Sequence, residues 1–427
     1  MLSAEMNDRY TRVGPGTPTG ELMRRYWHPV AAVSQMNDKF TKKVRLLGED
    51  LILYKDRSGT FGLIEPLCAH RRMNMIYGIP EEAGLRCAYH GWLFDETGAC
   101  TEQPYEETED PTGNFKDKIH MKAYPVQVKA GVVFAYMGPA PAPLLPNYDV
   151  FAAEGVLRDV GYAVLDCNWL QCQENSLDPV HLEWLHVAWA NYIREKNGDT
   201  GDMRQRRAHA KIQFDRFEHG LIKRRVWEGG SEEDTEWKDG HPIVFPNYLR
   251  QGGDGYNVDR GTARNTFFIG PAFQIRTPID DEHTAHWWVA CYPMVEGDKP
   301  QADHEIPYYE VPVPHMDEND QPIWSELKAN AAQDPAAWIT QGAIADRTRE
   351  NLGRSDKGII MYRQMLEENI RIVEDGGDPL CVVRDPEQNK YIPFMTEQHQ
   401  YVDTTKRQGA ATMYSPILDA REAAGLI

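Results

Sequence analysis

From about Lys42 to Gly138 the chain alternates short apolar runs with Gly, Asp and Ser punctuation, as in "KVRLLGEDLILYKDRSGTFGLIEPLC", "LRCAYHGWLFDETGACTE" and "YPVQVKAGVVFAYMG". This texture predicts a domain of short antiparallel strands. Upstream, "GELMRRYWHPVAAV" has the spacing of a short amphipathic helix ending at Pro29. "PAPAPLLPNYDV" (139–150) is a proline-rich connector and the clearest boundary in the chain. Beyond it, "CNWLQCQENSLDPVHLEWLH" predicts helix, and "KIQFDRFEHGLIKRRVWEGG", "NTFFIGPAFQIRTPID" and "TAHWWVACYPM" predict strands. Helical pattern returns from about Asp334 through "WITQGAIADRTRENLG" to "MYRQMLEENIRIVEDGG". The expected class is α+β. A helical segment (1–40) precedes an all-β domain (41–145), and a third part (146–427) packs helices on one side of an antiparallel sheet.

Composition narrows the function. With 427 residues, 41% hydrophobic and 10% aromatic, the chain can bury two or more cores and should be globular. A net charge of −19 argues against a nucleic-acid surface, which needs clustered cations. The opening "MLSAEMNDRYTRVGPG" lacks the basic-then-apolar pattern of a signal peptide, and no run approaches the roughly 18 apolar residues of a membrane span. The cytoplasm is the expected location. Seven cysteines spread thinly do not suggest a disulfide scaffold.

Two of those cysteines sit beside histidines. Cys68-x-His70 and Cys87-x-x-His90 offer two small loops, each with one thiolate and one imidazole. Zinc fingers usually group like ligands together, whereas this mixed order suits a [2Fe–2S] cluster with both thiolates on one iron and both imidazoles on the other. Coincidental surface loops are the bland alternative. Gly91 allows a tight turn with amides free to face sulfide, Trp92 can shield the site or simply fill core, and Arg71 can mark an electron entry point or be solvated. With these neighbours the stretch resembles the Rieske domain of the ring-hydroxylating oxygenases.

A second pair, His181 and His186, lies five residues apart. On a straight α-helix that spacing leaves about 140° between side chains, so one metal could take both only across an i,i+5 widening of the helix. Two buried, hydrogen-bonded histidines are the structural alternative. Two imidazoles and a carboxylate on one face of Fe(II) would leave positions for O2 and substrate. Asn175-x-x-Asp178-x-x-His181-x4-His186 resembles the mononuclear-iron motif of the same oxygenases, so the likeness spans both domains.

That resemblance implies a helix-grip, START-like catalytic domain and a set of roles. Asp178, also readable as a helix cap before Pro179, would link His181 to a Rieske histidine; Asn175 belongs to the same motif. The third iron ligand would be Asp334, which "QDPAAWITQGAIADRTRENLG" places after Gln333 as in phthalate-dioxygenase-like members. Asp346 is the runner-up, with Arg347 able to pair with it, and Asp334 as a plain N-cap before Pro335 is the structural reading. "GPGTPTGELMRRYWHPV" and "GHPIVFPNYLR" resemble the same α-only branch, which acts on aromatic carboxylates and related aryl compounds. Members hydroxylate or O-demethylate with O2, drawing NAD(P)H electrons through a separate reductase, and assemble as homotrimers or stacked hexamers. No G-x-G-x-x-G fingerprint stands between a strand and a helix here. Lys223, Arg224 and Arg225 lie on a predicted strand whose alternation turns some of them inward, towards a substrate carboxylate, or outward into water; Arg206 and Arg207 share that ambiguity. A Rieske-type electron carrier and a zinc-binding interaction protein are the competing classes.

Overall fold

The computed structural model describes residues 1–199, 201, 203–252, 271–396 and 415–425. The first half contains three small sheets. Glu49–Lys55 lies between Thr41–Leu46 and Phe61–Ile64, with Ala123–Tyr124 at the far edge. Ile79–Pro80, Leu85–Arg86, Leu93–Phe94 and Cys100–Glu102 form a second sheet, which carries the Cys87 loop between its middle strands. The third places Val132–Tyr136 between Val126–Lys129 and Trp27–Ala32.

That last strand corrects the helix expected over "GELMRRYWHPVAAV". Helix runs only from Pro18 to Met23, and Trp27–Ala32 is extended with every position buried. An unbroken apolar run fits a strand covered on both faces, and Pro29 is tolerated on this edge strand beside a register shift.

The second half is built on an eight-stranded sheet among the described residues. In order its strands are His209–Phe217, Gly220–Trp227, His241–Val244, Tyr248–Gln251, Ala272–Pro278, Thr284–Pro293, Val156–Leu165 and Tyr308–Glu310. All pairs are antiparallel except the last. The expected strand over "NTFFIGPAFQIRTPID" begins at Ala272, and its residues 265–270 lie outside the described residues. Helices Trp169–Ser176, Asn330–Ile339 and Lys357–Glu374 lie along the chain around this sheet. The helical pattern expected from Asp334 onward is broken: after Ile339 the chain turns at Gly342 (φ 90°) and stays irregular to Gly353. The proline-rich connector is not a free linker. Trp27 Nε1 donates to the Pro143 carbonyl (2.9 Å), and Leu144 and Tyr148 form bridges to Val383 and Ile392.

Candidate metal centres and substrate cavity

The two cysteine–histidine loops have the same backbone. The amides of Arg72 and Gly91 each donate to the cysteine carbonyl four residues earlier, both at 3.0 Å. Cys68 N–H then bonds Met73 O and Cys87 N–H bonds Trp92 O, at 2.9 and 2.8 Å. Both loops close through a left-handed residue, Arg72 (φ 60°) in one and Gly91 (φ 76°) in the other. The thiols are buried while His90 is exposed, and the His70 and His90 rings meet edge to face at 4.4 Å. Trp92 stacks on His70 (4.3 Å, 9°), and the Arg71 guanidinium lies over the Tyr89 ring at 5.5 Å. A buried pair of sulfurs beside one half-buried and one exposed imidazole fits a two-iron cluster with unlike ends.

His181, His186 and Asp334 bring their ligand atoms within 4.8 Å of one another, and among the described residues no other group of three or more potential ligands converges in this way on one ion position. The helix that carries the histidines is α from His181 to Glu183 and then widens into a π-turn, Trp184–Trp189. The i,i+5 spacing thereby turns both rings to one side. His186 Nε2 is 3.2 Å and His181 Nε2 3.9 Å from Asp334 Oδ1. Each Nδ1 is engaged elsewhere, His181 with the Asp178 carbonyl (2.5 Å) and His186 with Gln333 Oε1 (3.0 Å). With those hydrogens spent, both Nε2 lone pairs face a carboxylate oxygen. Three electron-pair donors so arranged repel unless a cation lies between them, so the residues fit a facial-triad metal. Burial lowers the His181 pKa to about 3, despite Asp334, which keeps the ring neutral as a ligand must be. Burial alone would raise the Asp334 pKa; the charge and hydrogen bond of a protonated His186 outweigh it and hold the carboxyl at about 2, and, against burial, Asp334 in turn raises the His186 pKa, so in the absence of a metal a proton on His186 is the cation between them.

The other expected residues fall as follows. Asp334 is no N-cap: its helix begins at Asn330, capped by Ala329, and Pro335 stands inside it. Asp346 is exposed and accepts from its own Thr348, while Arg347 reaches Glu174 instead (2.8 Å), so the runner-up ligand and its expected ion pair are both corrected. The Asp178 carboxylate accepts from the Val180 amide (2.8 Å), and its Oδ2 lies 3.9 Å from His181 Nδ1. Asn175, on the helix before it, lines the cavity over the triad. Lys223 and Arg225 point into that cavity, whereas Arg224 turns away to Asp215 (2.6 Å). Arg206 does not line the cavity but pairs with Glu183 of its wall (2.9 Å), and Arg207 lines it.

The cavity encloses about 430 Å³, with Trp227, Trp288 and Trp338 among its walls. Sequence reasoning missed Gln333, Gln274, Arg276 and His286, which come from the third-ligand helix and from two central strands. No local spacing ties these residues to the histidine motif.

A cysteine–histidine cluster domain ahead of a helix-on-sheet domain with a buried two-histidine, one-carboxylate pocket defines the terminal component of a Rieske oxygenase. The chain belongs to the Rieske non-haem iron ring-hydroxylating oxygenases, in the phthalate-dioxygenase-like branch, and is an oxidoreductase that incorporates O2. Residues 26–125 match the Rieske [2Fe-2S] domain, and residues 321–398 match the LigXa C-terminal domain like family. The chain is 44% identical over 398 residues to the 5,5'-dehydrodivanillate O-demethylase oxygenase subunit of Sphingobium sp. (strain NBRC 103272 / SYK-6), covering 93% of this chain and 87% of that one. It is 33% identical over 390 residues to the phenoxybenzoate dioxygenase subunit alpha of Ectopseudomonas oleovorans, covering 87% and 86%. Its fold is that of the terminal oxygenase of carbazole 1,9a-dioxygenase from Novosphingobium sp. KA1, with a TM-score of 0.57 at 19% identity over 86% of this chain and 99% of that structure.

Proposed function

We propose that this chain oxidises a methoxylated or otherwise substituted aromatic carboxylate, by O-demethylation or ring hydroxylation, in aromatic catabolism. The convergence of His181, His186 and Asp334 across the π-turn, inside an aromatic-walled cavity, carries this reading. Cys68 and Cys87 would hold one iron of the cluster and His70 and His90 the other, in an electron-receiving unit spanning 41–145. The mononuclear Fe(II) would sit in the 146–427 unit, which the 1–40 segment braces. When bound, the cluster supplies single electrons and the mononuclear iron activates O2.

The protein's own groups prepare that chemistry. The Asp178 carbonyl and Gln333 fix the orientation of the two histidines. The tryptophan walls exclude water and hold a ring, and Lys223 and Arg225 draw a carboxylate to one side of the triad. Asn175 borders both the cavity and a surface groove that includes Asp178 and the exposed Trp184. This groove supports delivery of electrons through Asp178 from the cluster of a neighbouring subunit, in a head-to-tail homotrimer or a hexamer of stacked trimers. A separate NAD(P)H-dependent reductase is the electron source. No helix among the described residues is long and apolar enough to cross a membrane, and a cytoplasmic enzyme is proposed.

The test is substrate-dependent O2 uptake by purified protein with a reductase, against phthalates, benzoates and methoxylated biaryls. Formaldehyde release identifies demethylation. Metal analysis should give about three irons and two sulfides per chain, since the cluster holds two of each and the triad one more iron. Two irons and no oxygen use would return the protein to the electron-carrier class.

A further inference from the structure

The three triad ligands come from two separate elements. His181 and His186 sit on the helix that widens into the π-turn Trp184–Trp189, and Asp334 sits on helix Asn330–Ile339. A preformed metal site needs the two elements held at ligand distance before the metal arrives. The contact between His186 Nδ1 and Gln333 does part of this. An imidazole ring turns about its own side-chain torsions, however, so that contact leaves the backbone beneath it free to shift.

Arg204 supplies the backbone tie. It lies in the irregular stretch before strand His209–Phe217, and its guanidinium reaches both elements through one nitrogen. Nη1 donates to the carbonyl of His186 and to Asn330 Oδ1 (3.1 Å). Asn330 opens the helix of the third ligand one turn before Asp334, so the two share a face, and both border the cavity. The backbone of Arg204 is fixed in its turn. Its N–H donates to Asn191 Oδ1 and its carbonyl accepts from Asn191 Nδ2, both at 2.8 Å. Asn191 lies on helix Ala190–Lys196, which runs on directly from the π-turn. Arg204 is therefore anchored twice to the histidine-bearing helix and once to the aspartate-bearing one.

Stability alone does not account for this arrangement. Both acceptors of the guanidinium are neutral, and Arg204 makes no ion pair among the described residues. A half-buried guanidinium gives up hydration and here receives no counter-charge in return. What it gains is geometry, since a planar fork fixes two acceptors relative to each other. We propose that Arg204 is a positioning residue for the mononuclear metal: by tying the His186 carbonyl to the first turn of the Asp334 helix, it holds the histidine pair and the carboxylate at one spacing. This rests on the facial-triad reading above and adds to it a residue that offers the metal no ligand atom of its own.

The test is titration of the full chain with Co(II), with the cluster in place and the mononuclear site emptied. Affinity is read together with the low-temperature EPR spectrum of bound Co(II), which reports ligand geometry while the oxidised cluster is silent. Arg204→Met keeps the length of the stem and loses the donors; it should weaken Co(II) binding by about 10–100-fold and alter that spectrum, with the cluster absorbance unchanged. Arg204→Lys, whose ammonium can still donate to both oxygens, should regain part of each. Asn330→Ala should weaken binding in the same direction, and adding it to Arg204→Met should cost nothing further, because both break one tie. Unchanged affinity and spectrum in Arg204→Met would overturn the proposal, as would additive losses in the double variant. So would a lowered thermal midpoint with Co(II) binding of the folded fraction intact, which is what a merely structural role predicts. Should Arg204→Met not fold, Asn330→Ala decides alone, and an unaltered affinity there removes the tie. If the wild type takes up no Co(II), the triad reading and the proposal fall together; if wild type and variant bind it equally, only the role of Arg204 falls.

Discussion

Gln333 Oε1 lies 3.0 Å from His186 Nδ1, one residue before the carboxylate that completes the triad. Gln333 is fully buried and its Nε2 donates to the Leu327 carbonyl (3.1 Å), so its oxygen is the end that meets the ring. His186 must then carry its hydrogen on Nδ1 and present Nε2 to a metal. Gln333→Leu should weaken binding at the mononuclear site by about 10–100-fold while the absorbance of the cluster is unchanged. Gln333→Glu, which still accepts from Nδ1, should restore most of it. Titrating metal-depleted protein with Co(II) gives both numbers, and an unaltered affinity in the Leu variant would remove Gln333 from the site.

What was legible in the sequence was whatever chemistry the chain holds close together. The Cys68–His70 and Cys87–His90 loops and the His181–His186 pair are local, and the five-residue spacing of the latter already required the π-turn that occurs. Asp334 lies 148 positions from His186, and its place came from family likeness. Gln274, Arg276 and His286 were invisible because their meeting depends on sheet register across strands that share no motif. Trp27–Ala32 was misread because its burial on both faces is a tertiary fact: an apolar run without alternation reads equally as helix.

The two cluster loops use the same left-handed turn with different residues, which predicts asymmetric tolerance. At Gly91 a Cβ would meet Pro104 Cγ at 3.4 Å in a backbone conformation that L side chains disfavour. Gly91→Ala should cost about 1–2 kcal/mol locally and lower the cluster content of purified protein. Arg72 already bears that strain, and its side chain donates to Glu65 and to the Leu67 carbonyl. Arg72→Gly relieves the backbone and loses these contacts, so sulfide content and thermal midpoint should stay near wild type. Equal losses in the two variants would show that the loops are not equivalent.

Glu174 anchors the helix that presents Asn175. Its carboxylate accepts from Arg347 (2.8 Å) and from Arg363 (2.7 Å), and Arg363 also pairs with Glu350. Burial favours the neutral acid, but the two arginines outweigh it and hold the pKa below the usual carboxylate value. Removing one partner of a buried ionic cluster strands the others. Glu174→Ala should therefore cost about 3–5 kcal/mol. Denaturant unfolding measures it, and a loss under 1 kcal/mol would mean that water reaches the two arginines and replaces the carboxylate.

Asp159 predicts a pH dependence of opposite sign. It is fully buried in strand Val156–Leu165, and that burial pushes its pKa up to about 7, against the hydrogen bond from Ser415 Oγ (2.7 Å). The folded state thus holds this proton more tightly than the unfolded chain, in which the carboxyl titrates near 4. Where the native state binds more protons, stability falls as pH rises. The contribution is intact below about pH 4 and is lost progressively up to about pH 7. Between pH 5.5 and 7 the loss should be about 2 kcal/mol from this group alone. Ser415 also caps helix Pro416–Ala423 by accepting from the Leu418 amide (3.2 Å); ionisation strengthens the Ser415 hydrogen bond but leaves a charge buried, and the opening that lets water reach it should begin at that helix. Asp159→Asn keeps a buried acceptor without the charge. Its melting temperature should lie above wild type at pH 8 and vary less between pH 5.5 and 8, and hydrogen exchange at Leu418 should stop depending on pH beyond the intrinsic rate. If wild type and variant melt in parallel across that range, the Asp159 carboxyl is already ionised at pH 5.5 and burial does not govern it.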